Sequence, residues 1–129
     1  IVASMGGNTG AQTLAVAIRG LAMGGLSRRD ERIIYFRETV KGMIHGVIIG
    51  LISAAMAWFW AQRVDMAVAI FFAMVLTMML AGLAGAAIPL LLQRFKLDPA
   101  QSSTIFLTTV TDIAGFGIFL GLGAMILLF

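Results

Sequence analysis

Three stretches of about 20 residues or more carry almost no charge, enough for each to cross a bilayer as a helix. Residues 42–60 hold one ionisable group, His45; residues 66–92 hold none; residues 100–129 hold Asp112 alone. Composition agrees: 60% of the chain is apolar and 12% charged, whereas soluble domains average about 45–50% and about 25%. Soluble enzymes, nucleic-acid modules and secreted scaffolds are therefore excluded. The absence of cysteine removes disulfides and thiolate metal sites. The net charge of +3 does not point to nucleic acid, because six of nine basic residues cluster between Arg19 and Lys41. Beside apolar spans, such a cluster reports membrane topology and anionic lipid.

The expected fold is all-α, a polytopic transmembrane bundle of about four membrane helices with the first partial. Its segments fall near residues 1–24, 42–60, 66–92 and 100–129. The 27 residues of the third segment would extend about 40 Å as a straight helix, so it must tilt or end early, and Pro89 is the expected stop or kink. Between the first two segments, Ser27 with Asp30 reads as a helix cap. The alternation of Ile33, Ile34, Phe36 and Val40 with charged residues predicts a short amphipathic helix lying at the cytoplasmic interface. Asp98, Pro99 and Gln101 read as the start of the last helix, with Asp98 as cap and Gln101 reaching back.

Charge sets the orientation. Placing residues 25–41 and 93–99 in the cytoplasm, with Arg19 at the adjoining end of the first segment, puts eight of the nine basic residues inside, as positive-inside topology requires. The C-terminus and Ile1 then lie outside, which leads to the expectation of at least one further helix upstream. Trp58 and Trp60 fit an aromatic belt at the outer face. Gly42, Gly46 and Gly50 recur every four residues, as do Gly117 with Gly121 and Ala81 with Gly85. Small residues on one stripe permit close helix approach in lipid. His45 reads as a hydrogen-bonded packing residue.

Asp112 is the one charged side chain deep in a span. Such a residue costs about 2.5–3.5 kcal/mol on insertion scales and marks an ion path when it faces protein or water. At helical spacing it shares a stripe with Gln101, Thr104, Thr108 and Gly115. The bland reading has the threonines bonding back to their own helix and Asp112 pairing with an arginine, yet no arginine or lysine lies within the three uninterrupted spans. A second polar stripe, Ser4, Asn8 and Gln12, runs among Gly6, Gly7 and Gly10. Together the stripes offer only oxygen, which suits hard cations; Mg²⁺ in particular keeps much of its water. One carboxylate is too little charge for a divalent ion in lipid, so a homodimer with two such groups across a twofold axis is expected.

Two motifs at opposite ends carry a family resemblance. Gly6-Gly7-Asn8-Thr9-Gly10-Ala11-Gln12-Thr13 with Ile18-Arg19-Gly20-Leu21-Ala22, and Thr108-Thr109-Val110-Thr111-Asp112-Ile113-Ala114-Gly115, resemble the hallmarks of MgtE magnesium transporters. The resemblance spans essentially all of residues 1–129, including Leu97-Asp98-Pro99-Ala100. It implies a pore domain with five helices per subunit, a homodimer, and a pore on the dimer axis lined by the second and fifth helices. This chain would begin within the second helix, so the first helix and the cytoplasmic N-terminal and CBS regulatory domains would precede it. The resemblance assigns metal binding to Asp112, places Thr108 and Thr104 along the pore, and adds Gly6, Gly7, Asn8 and Thr9 from the second helix. It also supplies Mg²⁺ as the transported ion and a bacterial inner membrane as the location.

The function expected is channel-like Mg²⁺ transport. The alternatives are a non-transporting membrane assembly or anchoring domain, and transport of another divalent cation. An intramembrane aspartyl protease needs two acids per site and these spans supply one, so no enzymatic activity is expected.

Overall fold

The computed structural model describes all of residues 1–129 as four helices: α1 (Val2–Ala22), α2 (Arg28–Ala61), α3 (Val64–Arg94) and α4 (Pro99–Leu128). The last three are long and apolar enough to cross a membrane. α1 is long enough but is diluted by Ser4, Asn8, Thr9, Gln12, Thr13 and Arg19. α3 is the hub and packs against each of the other three helices.

Small residues set how the helices meet. α2 buries only Glu38, Gly42, Gly46 and Gly50, one residue every four. A Cβ on Gly42 would strike the Met78 carbonyl, and one on Gly46 would lie 2.7 Å from Val75 Cα. The predicted glycine seam is thus a backbone-on-backbone contact with antiparallel α3. In lipid, where hydrophobic drive between helices is small, close approach of this kind supplies the attraction. Gly85 and Gly10 do the same between α3 and α1, which run parallel: a Cβ on Gly85 would meet the Gly10 carbonyl. α4 buries Ser103, Leu107, Thr111 and Gly115, again every four residues. Gly117 and Gly121, expected to repeat the packing pattern, have nothing of this chain within 4 Å of an added Cβ.

Three local expectations are corrected. The amphipathic segment after Ser27 is not a separate interfacial helix but the first part of the 34-residue α2. No glycine or proline stands between Arg28 and Lys41 to break it, and Gly42 is held by packing. At about 1.5 Å per residue α2 is about 51 Å long, well beyond the roughly 30 Å of hydrocarbon, so its charged end projects into water. Pro89 does not stop α3, which continues to Arg94. Proline removes only the bond that its own N–H would give to Gly85, and neighbouring helices support such positions in membrane proteins. Gln101 makes no hydrogen bond; Asp98 Oδ1 accepts from Ala100 N–H at 3.0 Å and caps α4 alone.

The start of α2 is a complete capping box. Ser27 Oγ donates to Asp30 Oδ2 at 2.6 Å and accepts from the Asp30 N–H at 3.2 Å, while the Ser27 N–H donates to Asp30 Oδ2 at 3.1 Å. These bonds, the hydroxyl first, hold the Asp30 carboxyl below its ordinary value. The sign follows from linkage. The ionised carboxylate favours the folded cap above about pH 4, and this contribution disappears as pH falls through the lowered native value. Ser27→Ala is expected to cost about 1 kcal/mol of local stability and to weaken that acid sensitivity, since the residue 27 N–H still donates to Asp30. Amide exchange of residues 28–33 as a function of pH measures both effects.

The chain has one strongly basic end. Arg94 of α3 pairs with Glu31 of α2 there, which brings the two arginine-bearing segments together. The opposite end holds the local Arg63–Asp65 pair and the exposed Trp58 and Trp60.

Candidate ion-binding site

The site is built on α1 and α4, which run antiparallel in a fixed register. Positions for an added Cβ pair Gly115 with Ala3 at 2.8 Å, Gly7 with Thr111 at 3.9 Å and Gly10 with Leu107 at 2.8 Å. Asp112 therefore lies level with Gly6 and Gly7, within one turn of Asn8. The two polar stripes read from opposite ends of the sequence are brought to the same depth.

The seven expected residues divide by exposure. Asp112, Thr108, Thr104 and Asn8 are exposed on this chain and Gly7 is half-buried. Gly6 and Thr9 are buried, and Gly6 packs on Thr77, to which an added Cβ would come within 2.8 Å. The contribution of Gly6 is thus close helix packing, with its side facing α3. Gly115, assigned by spacing to the Asp112 stripe, instead belongs to the buried stripe one position away, because it touches Ala3.

Asp112 forms no salt bridge, and no side chain or backbone group of its own chain donates to it. Its carboxylate oxygens remain available. The threonines nearby have directed lone pairs: Thr108 Oγ1 donates to the Thr104 carbonyl at 2.8 Å and Thr109 Oγ1 to the Ile105 carbonyl at 2.9 Å. Donation backward fixes each hydrogen away from the exposed side, so the hydroxyl oxygen presents itself as an acceptor. That polarity favours cations and the hydrogens of their bound water. Thr111 makes the same bond to Leu107 at 2.9 Å but is buried in the seam with α1.

No group of three or more histidine or acidic side chains converges in the chain. Hydroxyl and carboxylate oxygens of this kind suit hard cations, among which Mg²⁺ retains much of its water. An apolar cavity of about 660 Å³ lies between Val2, Met56, Trp60 and Phe119 and does not include Asp112. A smaller one, about 150 Å³, is polar and lies between α1 and α2. It is bounded by Gln12, Thr13, Glu38, Lys41 and His45. His45, expected to be a hydrogen-bonded packing residue, is exposed and bonds to no other protein group.

Glu38 is the residue that sequence reasoning missed. As a charged residue between Phe36 and Val40 of the amphipathic segment it reads as part of the solvated face, yet it is 4% exposed. The signal was present: Glu38 lies one turn before Gly42 on the same four-residue stripe that packs against α3.

The chain matches a family model, MgtE, described as a divalent cation transporter, over residues 1–122. It is 30% identical over 125 residues to a magnesium transporter MgtE of Enterococcus faecalis, covering 97% of this chain and 28% of the relative. Relatives of the same name from Bacillus subtilis and Thermus thermophilus are also 30% identical, covering 95% and 98% of this chain. The chain spans 27% and 28% of their respective lengths. These relatives are transporters rather than enzymes. A match over nearly the whole length, on a helical bundle whose spans are apolar enough for a bilayer, means that this chain belongs to the MgtE family of divalent cation transporters.

Proposed function

We propose that this chain forms the membrane pore of a Mg²⁺ transporter and that Asp112 holds the hydrated ion. The observation that carries this reading is the unpartnered Asp112 carboxylate, exposed on an apolar helix and level with the polar stripe of α1. A charge with no partner in its own subunit is stable at that depth only against water, an ion or a second subunit. A homodimer supplies two such carboxylates across a twofold axis, with α1 and α4 of each subunit lining the passage. The relatives' shared name supports Mg²⁺ as the cargo.

In this reading the basic end lies in the cytoplasm of a bacterial inner membrane and the C-terminus outside. Hydrated Mg²⁺ enters from outside, exchanges some bridging contacts with Asp112, Thr108, Thr104 and Asn8, and leaves inward. Gly7 allows the α1 backbone to approach the ion's water, while Gly6 and Thr9 support α1 from behind. The membrane potential drives a divalent ion by about 4.6 kcal/mol per 100 mV, twice the single-charge value. Regulation by cytoplasmic Mg²⁺ would fall to the N-terminal and CBS domains that the resemblance implies.

The test is paired. Vesicles carrying the protein are expected to take up Mg²⁺ under an inside-negative potential, and Mg²⁺ is expected to raise the unfolding temperature in detergent. Asp112→Asn should abolish that thermal shift. Folded protein with neither uptake nor a thermal shift would instead favour a non-transporting assembly domain held together by the glycine seams.

A further inference from the structure

Glu38 is the only acidic side chain buried in the molecule. A buried carboxylate is retained only where partners replace its lost water, and here there are two. Lys41 Nζ donates to Oε1 at 2.6 Å from one turn along α2, and Thr13 Oγ1 donates to Oε2 at 3.1 Å from α1. The Thr13 bond is the one hydrogen bond that joins α1 to α2, and the two helices barely meet elsewhere.

The two ends of this bond differ in freedom. On α2 the backbone at Glu38 is pressed into α3, where a Cβ on Gly82 would strike the Glu38 carbonyl. On α1, Thr13 is 3% exposed and packs against Gly85 on one side. Its hydroxyl reaches away from that seam across the rim of the small polar cavity. α1 also buries Val2, Leu14 and Ala17 along with its glycines, but these contacts are apolar, and the Thr13 bond is its one side-chain hydrogen bond to another helix. One turn beyond Thr13 lies Thr9, followed by Asn8 and Gly7, which face the level of Asp112.

We infer that Glu38 is a positioning residue that fixes the rotation of α1 through Thr13, and with it the placement of Asn8 and Gly7 opposite Asp112. This rests on the pore reading above. Lys41, whose side chain is 47% exposed, neutralises the carboxylate without tying it to another helix, so Thr13 alone gives the arrangement its direction.

The experiment measures Mg²⁺ uptake by vesicles carrying the protein, as half-saturating concentration, maximal rate and Mg²⁺ over Ca²⁺ preference. Thr13→Val is expected to raise half-saturation by about fivefold, the value of one hydrogen bond of this class, and to narrow the Mg²⁺ preference. Thr13→Ser, which keeps the donor, should restore both. Glu38→Gln, which keeps an acceptor oxygen, should stay within about twofold, and Thr13→Val with Glu38→Ala should be no worse than the worse single variant. A folded Thr13→Val protein with the original half-saturation and preference overturns the inference. Uptake unaffected by Asp112→Asn overturns the pore reading instead. The chain has no cysteine, so spin labels on cysteines introduced at Ala15 and Ile48 report the α1–α2 geometry even where flux is lost. A distance unchanged by Thr13→Val would also overturn the inference.

Discussion

Asp112→Ala is expected to reduce Mg²⁺ uptake more than any other single change in the chain. A hydrogen bond between a metal-bound water and a carboxylate is worth about 1.5–3 kcal/mol, which corresponds to about 10- to 150-fold in affinity per subunit. In the proposed homodimer both copies of the carboxylate would be lost at once. Asp112→Asn keeps the shape and one acceptor oxygen but not the charge, and should lose nearly as much, because the charge compensates the divalent ion at this depth. Asp112→Glu keeps the charge on a longer arm and should retain partial uptake with altered preference among divalent ions. Fluorescent-indicator uptake assays on the three variants, normalised to folded protein, give the order directly. An alanine variant with undiminished uptake would leave this family pore without its ion site.

The second large effect concerns stability. A valine at Gly42 places its Cβ on the Met78 carbonyl, with Met79 Cα 3.2 Å away. Both neighbours are backbone, so neither can rotate aside, and α2 must separate from α3. The expected loss is about 3 kcal/mol, the upper part of the range for overpacking, seen as a lower unfolding temperature in detergent. Gly121→Ala provides the contrast. Nothing of the chain lies within 4 Å of that position, and exchanging glycine for alanine within a helix is worth up to about 1 kcal/mol in favour of the helix. A stabilised Gly121→Ala monomer whose dimer is weakened would assign the open glycine face of α4 to the subunit contact. An unweakened dimer would remove that face from the interface.

Much of this architecture is legible in the sequence. The three uncharged runs gave the spans, Ser27 with Asp30 and Asp98 with Pro99 gave two helix starts, and Gly42, Gly46 and Gly50 gave the tightest seam. Asp112 stood out because a carboxylate in an apolar helix is costly wherever it points. The misreadings of Gly115 and Glu38 share one physical origin: periodicity gives a stripe but not its partner. Thr104, Thr108 and Asp112 fall one residue away from Ser103, Leu107, Thr111 and Gly115. A one-residue step on a helix is about 100°, enough to decide burial. Glu38 was misplaced for the same reason, since its charge suggested water while its spacing matched the glycines. The break expected before Gly42 failed because continuous backbone hydrogen bonding needs only an absence of breakers, and the change from charged to apolar residues is not one.

The unbroken course of α2 has a mechanical consequence. From the capped turn at Ser27 to the tryptophans near Ala61 there is no joint, so a load applied to the protruding arginines moves the whole rod. The left-handed backbone positions lie outside it, at Gly24 and Gly25 with φ of 116° and 87°, at Gln62 with φ of 54° and at Lys96 with φ of 58°. On the inference drawn from Glu38 and Thr13, a push on the charged end of α2 would reach α1 through that bond, as a lever turns a spindle.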